Sequence, residues 1–281
     1  MELYDAIFYR KSIRSYSNRK IKLPLMEEVR DICSNITYLN GDLNIKAHVI
    51  DRGHLIHFLM GKNCKVKAPH YILVTSNQGE DYLQNIGFAT EEIVLQLTTL
   101  GLATCWLESN LKREDILEFV ELEDDELDEK CEDCEEDMKD EKEKNIENPY
   151  ILIAFGYPEK SEELFKAIES QSDRESIKSI SKRVDKRWNE VLEAVRLSPS
   201  IKNCQPWMFY NDKKGFHLYE KNQKKSIAGM SKISIGVSLR HFDIACKKYG
   251  IETEYIKVEA KKKVGKKYFI SILEKAKNDM K

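Results

Sequence analysis

Ser198-Pro-Ser-Ile-Lys-Asn-Cys-Gln-Pro-Trp207 is the stretch on which the reading of this 281-residue chain turns. Its two prolines restrict the backbone, and its Ser, Asn and Gln side chains bring donors and acceptors just ahead of a strand, Trp207-Met-Phe-Tyr210. Such a segment can line a pocket with hydroxyl and amide groups, and it can equally be an ordinary capped loop. Before it, Trp188, Val191, Leu192 and Val195 recur at helical spacing. After it, a long helix is expected over about 235–249, with Val237, Phe242, Ala245 and Cys246 inward, followed by strands at 254–258 and 267–273.

The same order of elements occurs upstream. Tyr4, Ile7 and Phe8 mark a short first helix, and Pro24 opens a second that buries Met26, Val29, Ile32 and Cys33. His70-Tyr-Ile-Leu-Val-Thr75 and Tyr150-Ile-Leu-Ile-Ala-Phe-Gly156 are read as buried strands. Between them, residues 81–100 form the clearest helix: Ile86, Ala89, Ile93, Leu97 and Leu100 recur at threes and fours, and Gly101 sits where a C-cap would. The repetition predicts a degenerate duplication, with halves at 1–180 and 181–281.

Composition narrows the class. No apolar run approaches the ~20 residues of a membrane span. The start, MELYDAIFYRKS, has no apolar core after a basic head, so no secretory signal is expected. Seven scattered cysteines predict reduced thiols in a cytoplasmic protein. The net charge of −2 hides an acidic insertion at 121–147, with 16 Asp/Glu against 4 Lys, so the rest of the chain is basic by +10. A basic body suits a phosphate-bearing ligand, and no basic stripe interleaved with aromatics points to nucleic acid. The acidic insertion is expected to contribute no core. Its Cys131 and Cys134, with no second pair or nearby His, are expected to be thiols in a loop. The six histidines form no metal-binding spacing and are read as surface or partly buried structural residues, so no metal is expected.

Two further segments carry chemistry. In Arg10-Lys-Ser-Ile-Arg14, an extended backbone sets Arg10, Ser12 and Arg14 on one side, and a helical one still aligns Arg10 with Arg14. Two guanidinium forks and a hydroxyl match the oxygens of a phosphate monoester. In Gly101-Leu-Ala-Thr-Cys-Trp-Leu-Glu108 the first long helix breaks. Cys105 has no base in its neighbourhood and is not expected to act as a nucleophile.

Together the three segments resemble the nitroreductase family of flavin enzymes. Arg10-x-Ser12-x-Arg14 is similar to the family's phosphate and ribityl motif, 199–207 to its Pro-Ser-x-x-Asn-x-Gln-Pro-Trp, and Gly101–Trp106 to its Gly-Leu-Gly-Thr-x-Trp. Phe155-Gly-Tyr-Pro158 resembles the strand ending that follows. Each half holds only part of the motif set, which resembles the single-chain subgroup named putative TM nitroreductases. The resemblance implies an α+β fold of two fused halves, an intramolecular pseudo-dimer with central helices flanked by antiparallel-rich sheets.

The resemblance also implies the chemistry. FMN would be bound by Arg10, Lys11, Ser12 and Arg14 on the phosphate side. Pro199, Ser200, Ile201 and Asn203 would come from the other half, and Trp106, Leu107 and Glu108 would border the ring. Arg174 is the best match to a basic residue the family often adds, with Lys182 and Arg183 as rivals. NAD(P)H would be the electron donor and a nitroaromatic, a quinone or a similar small molecule the acceptor, with no catalytic side chain required. One complete site per chain is expected, and a monomer is possible because the chain holds both halves of the usual dimer. A flavin-binding sensor or storage protein with little turnover is the alternative.

Overall fold

The computed structural model describes residues 1–122, 146–166, 173–213 and 215–275. Its helices are α1 (Leu3–Tyr9), α2 (Leu23–Ser34), α3 (Gly53–Met60), α4 (Tyr82–Thr99), α5 (Arg113–Ile116), α6 (Ile177–Ile180), α7 (Asn189–Arg196) and α8 (Ala228–Lys248). The strands are β1 (Lys46–Ile50), β2 (His70–Ser76), β3 (Ala103–Glu108), β4 (Asn148–Gly156), β5 (Ser181–Lys182), β6 (Trp207–Asp212), β7 (Gly215–Lys221), β8 (Thr253–Ile256) and β9 (Lys266–Glu274). One sheet has the order β1-β2-β4-β3 and is antiparallel throughout. The other has the order β5-β6-β7-β9-β8, with only the short β5 parallel to its neighbour.

The chain divides into two compact units. One is Met1–Tyr9, Leu83–Glu91 and Lys166–Lys281; the other is Arg10–Tyr82 and Glu92–Phe165. In the first unit, α8 is buried from Ser231 to Cys246 apart from Lys232, a stretch of apolar and small residues that also takes in Arg240, His241 and Asp243. Phe242 stacks on Phe209 with ring centroids 5.5 Å apart, and Trp188 lies over it at 5.8 Å. On another side of α8, Leu83–Glu91 comes so close that a Cβ on Gly236 would sit 1.8 Å from the Gln84 carbonyl oxygen. A Cβ on Gly87 would sit 1.9 Å from that of Ile233. Only glycine permits such an approach.

α8 starts seven residues before the expected 235. Ser231, Ser234 and Ser238 are all buried, and small side chains are what a tight helix crossing requires. Charge is buried beside them. His241, read as a surface or partly buried residue, is fully buried. Its Nδ1 lies 2.9 Å from the Ala194 carbonyl, which can only accept, and its Nε2 lies 2.9 Å from Glu91 Oε1. Arg240 donates to the Phe88 carbonyl at 2.8 Å, and its guanidinium covers the Phe88 ring at 3.6 Å.

In the second unit, β2 and β4 are the central strands and read as continuous apolar runs. Tyr71, Leu73, Leu152 and Ala154 enter one core with Ile13, Ile56 and Cys105. The acidic insertion departs from expectation at its ends. Leu122 packs against this core. Glu147 is 2 % exposed, with Lys46 Nζ at 3.1 Å, His48 Nε2 at 3.2 Å and the Thr75 hydroxyl also donating to it. Burial raises the Glu147 pKa, but the hydrogen bonds from His48, Thr75 and Lys46 and the Lys46 charge outweigh it and hold the carboxyl at about 2. Cys131 and Cys134 lie outside the described residues. No helix among those described is long and apolar enough to cross a membrane.

Candidate functional site

The first cluster is built on the extended segment that follows α1. Ile13 N donates to the Thr104 carbonyl at 3.0 Å, and Ser12 pairs with Thr104 as an isolated parallel bridge. Residues 10–14 therefore lie along the head of β3, the strand that carries Trp106, Leu107 and Glu108. Pairing of Ser15 with Lys67 and of Tyr16 with Pro158 continues the segment past the end of β4. The anchor of this arrangement is Ile13, fully buried between half-buried Ser12 and exposed Arg14.

The charged side chains differ in setting. Arg10 is 5 % exposed, Lys11 and Ser12 are half-buried, and Arg14 is exposed. Lys11 Nζ lies 3.5 Å from Glu162. Burial pushes the Cys105 thiol pKa up, against the opposing pull of Arg14 and Arg10, so both guanidinium charges reach β3. A buried thiol with a raised pKa is no nucleophile. Trp106 and Leu107 are half-buried and Glu108 is exposed at the strand's far end.

The second cluster is residues 198–207. Its backbone is left-handed at Lys202 (φ 47°), Asn203 (φ 56°) and Gln205 (φ 43°), three non-glycine residues within four positions. Such residues cost of order 1–2 kcal/mol each and persist where surroundings over-determine them. Here the surroundings are explicit. Arg174 Nη1 donates to the Ser198 carbonyl and to Asn203 Oδ1, both at 2.8 Å. Asn203 Nδ2 donates to the Asp173 carbonyl at 2.7 Å, and the Glu175 amide donates to Gln205 Oε1 at 2.8 Å. Ile201 N donates to Ser234 Oγ on α8 at 3.2 Å, and Gln205 N to Ser200 Oγ at 3.0 Å.

The sequence-selected residues thus fall in two groups. Arg10, Lys11, Ser12 and Arg14 lie along β3 with its Trp106, Leu107 and Glu108; Arg174 is joined to the segment of Pro199, Ser200, Ile201 and Asn203. Of the rivals to Arg174, Lys182 turns back to the Lys178 carbonyl at 3.2 Å, and Arg183 (φ 60°) is exposed. Sequence reasoning missed Thr104, which receives the first segment, and Asp173 and Gln205, which fasten the second. Gln205 stands in the quoted motif. Nothing in the sequence marks the Asp173 carbonyl, because its part is played by backbone. Among the described residues, no group of three or more His, Cys, Asp or Glu is placed to hold a metal ion.

A family model described as "Putative TM nitroreductase" matches residues 2–127 and 134–246. The chain belongs to this nitroreductase family. The match falls in two tandem stretches, in keeping with a chain of two fused nitroreductase-like halves. A "putative nitroreductase" from Thermotoga maritima MSB8 has the same fold, with TM-score 0.60 and 19 % identity over 97 % of this chain and 94 % of that one. A "putative NADH oxidase" from Clostridium acetobutylicum aligns with TM-score 0.42 and 20 % identity over 66 % of this chain and 100 % of that one. A Bacteroides fragilis NCTC 9343 nitroreductase, solved with bound FMN, aligns with TM-score 0.41 and 16 % identity over 59 % and 94 %. No curated protein matches the chain. For a nitroreductase-family member, the two clusters are where the motif residues of the sequence lie.

Proposed function

We propose that this chain binds FMN and works as an NAD(P)H-dependent oxidoreductase on small acceptors such as nitroaromatics or quinones. The observation that carries the reading is the first cluster: two guanidinium groups, an ammonium and a hydroxyl on five consecutive residues, set beside a strand that presents an aromatic ring. Its donor set fits a phosphate monoester, since Arg10, Lys11 and Arg14 supply positive N–H donors and Ser12 an O–H. Bound FMN would supply the hydride chemistry, accepting from NADH or NADPH and passing to the acceptor.

The chain's own residues have binding and orienting parts. Arg10, held nearly free of solvent, would contribute most per contact, because a buried charge-assisted hydrogen bond is less screened than one at exposed Arg14. Ser12 is fixed by the backbone pairing at Thr104, so its hydroxyl needs little ordering on binding. Trp106 and Leu107 would form an apolar border to the ring.

The test is spectroscopic. Purified chain reconstituted with FMN should carry one flavin per 281 residues, and its visible absorption should bleach anaerobically on addition of NADH or NADPH. Two flavins per chain would mean a second phosphate cradle. Colour without bleaching would leave a flavin-binding protein with little turnover, and absence of flavin binding would sink the reading altogether.

A further inference from the structure

The second sheet carries a cavity that the flavin reading does not use. Phe209, Phe216, Leu218, Ile270 and Ile272 turn one face of β6, β7 and β9 into core. Strand alternation sends Tyr210, His217, Tyr219 and Ser271 to the opposite face, where the register Tyr210↔His217 and His217↔Ser271 lines them up across three strands. Residues 257–263, between β8 and β9, fold over this row. Tyr219 OH donates to the Lys261 carbonyl at 2.7 Å, the Val258 amide donates to Tyr268 OH at 3.1 Å, and Lys263 Nζ stands 4.5 Å from the centre of the Tyr210 ring. The resulting open cleft has a volume of about 670 Å³, within the range of small-molecule pockets.

The lining has two characters. The rings of Tyr210 and Tyr219 meet edge to face at 5.2 Å, and Ile256, Val258 and Leu273 complete an apolar surface around them. Arg183, Lys213, Lys261 and Lys263 bring four positive charges, against Asp212 and Glu259. Asp212 is already engaged, with Oδ1 3.2 Å from His217 Nε2. On its other side His217 Nδ1 lies 2.7 Å from Ser271 Oγ, which lies 2.8 Å from Tyr268 OH. The Asp212–His217–Ser271 row has the connectivity of a hydrolytic triad, but Ser271 is fully buried and cannot attack a bound molecule. The row instead locks the imidazole in place as part of the floor.

We propose that this cavity is a second ligand site, for a planar aromatic ring bearing one anionic group, an aryl carboxylate being the simplest case. The ring would lie against Tyr210, whose back is braced by buried Tyr219, and beside Ile256 and Val258, and the anion would face Lys261 and Lys263. The inference is independent of the flavin reading, because every residue it uses lies between 183 and 273 and none belongs to the clusters described above.

Titration of the full chain with salicylate, followed by ligand-observed NMR, tests it. Saturable binding at one site is expected, weakened about fivefold in Lys261→Ala and again in Lys263→Ala, strongly weakened in Tyr210→Ala, and unchanged in Arg10→Ala. Phenol and sulfate, which carry the ring or the charge alone, should each bind much more weakly than salicylate. Lys261 is exposed and Lys263 only half-buried, so Lys261→Ala keeps the test standing even if Tyr210→Ala unfolds. No saturable binding, equal affinity in both lysine variants and wild type, phenol binding as tightly as salicylate, or loss of binding in Arg10→Ala would each overturn the proposal.

Discussion

The two units of the chain are held in shape by different means. In the unit containing α8, backbone geometry decides: Gly87 and Gly236 let two helices approach to a distance no side chain permits, and three left-handed residues turn the segment at 198–207. In the unit containing β1 to β4, an apolar core is joined by a buried charge: Glu147 is held by Lys46, His48 and Thr75, while Arg10, Lys11 and Arg14 are set along β3 by the backbone pairing at Thr104. The difference shows how each region should fail. Backbone-built regions break when an atom is added, and charge-built regions break when a charge is removed or titrated.

The largest effect is expected from Gly236→Ala. Alanine favours a helix over glycine by about 1 kcal/mol. Against that, the new methyl would meet the Gln84 carbonyl at 1.8 Å and the Phe88 amide nitrogen at 2.7 Å, backbone atoms that no rotamer change can move aside. We expect a net loss of about 3 kcal/mol or more, read as a lower midpoint in urea. Gly229→Ala, on the same helix, is the control: its nearest neighbour would be a Leu83 methyl at 4.0 Å, so propensity should win and stability should hold or rise. Equal behaviour of the two variants would break the account of the crossing.

Glu147→Gln probes the charge-built unit at nearly constant shape. The folded-state pKa of about 2 lies below the 4.5 of an ordinary glutamate, so the carboxylate stabilises the fold. That contribution is complete above about pH 4.5 and is lost as pH falls through 2. It amounts to about 3 kcal/mol at most. The variant should be less stable at pH 7, and its stability should fall less steeply between pH 4.5 and 2 than that of the parent. Parallel acid-unfolding curves would show that Glu147 is not titrating in this window. Arg10→Ala comes next. Losing a charge-assisted contact to phosphate should cost about 1.5–3 kcal/mol, a ten- to hundredfold loss of FMN affinity measured by fluorescence quenching. Unchanged affinity would remove Arg10 from the proposed site.

The same contrast explains what the sequence made legible. Periodicity placed the central helices and the strands at 70–76 and 148–156 because each buries a wide apolar arc or run. It passed over β1 and β7, whose residues alternate with His48 and His217 in the register. Side-chain chemistry was legible at 10–14, where the charges stand next to one another. Glu147 was not, because a buried carboxylate at the end of an acidic run looks like its solvated neighbours until Lys46, His48 and Thr75 are brought to it from two other strands. The buried Glu91–His241 contact joins residues 150 positions apart, a distance no local pattern spans.

The smallest expected effect separates the two site segments most sharply, because the same substitution should act in opposite directions on them. Lys202 is exposed and left-handed, with φ 47° and ψ 27°. Glycine there would relieve about 1–2 kcal/mol of steric cost while giving the unfolded chain extra freedom worth about 0.4–1 kcal/mol. The balance favours Lys202→Gly by about 0.5–1 kcal/mol, a rise in melting temperature of a few degrees at most. Lys11 sits in the other segment, is not left-handed, and has Nζ 3.5 Å from Glu162. Lys11→Gly relieves no strain, gives the unfolded chain the same freedom and forfeits an ion pair worth less than about 1 kcal/mol, so its melting temperature should fall. Thermal unfolding of the two variants side by side decides the matter. Opposite shifts would confirm that one segment is shaped by strained backbone and the other is not; a fall in both would mean that the left-handed turn at 202 is stabilised by its lysine side chain, and that the contrast between the segments is not one of backbone strain.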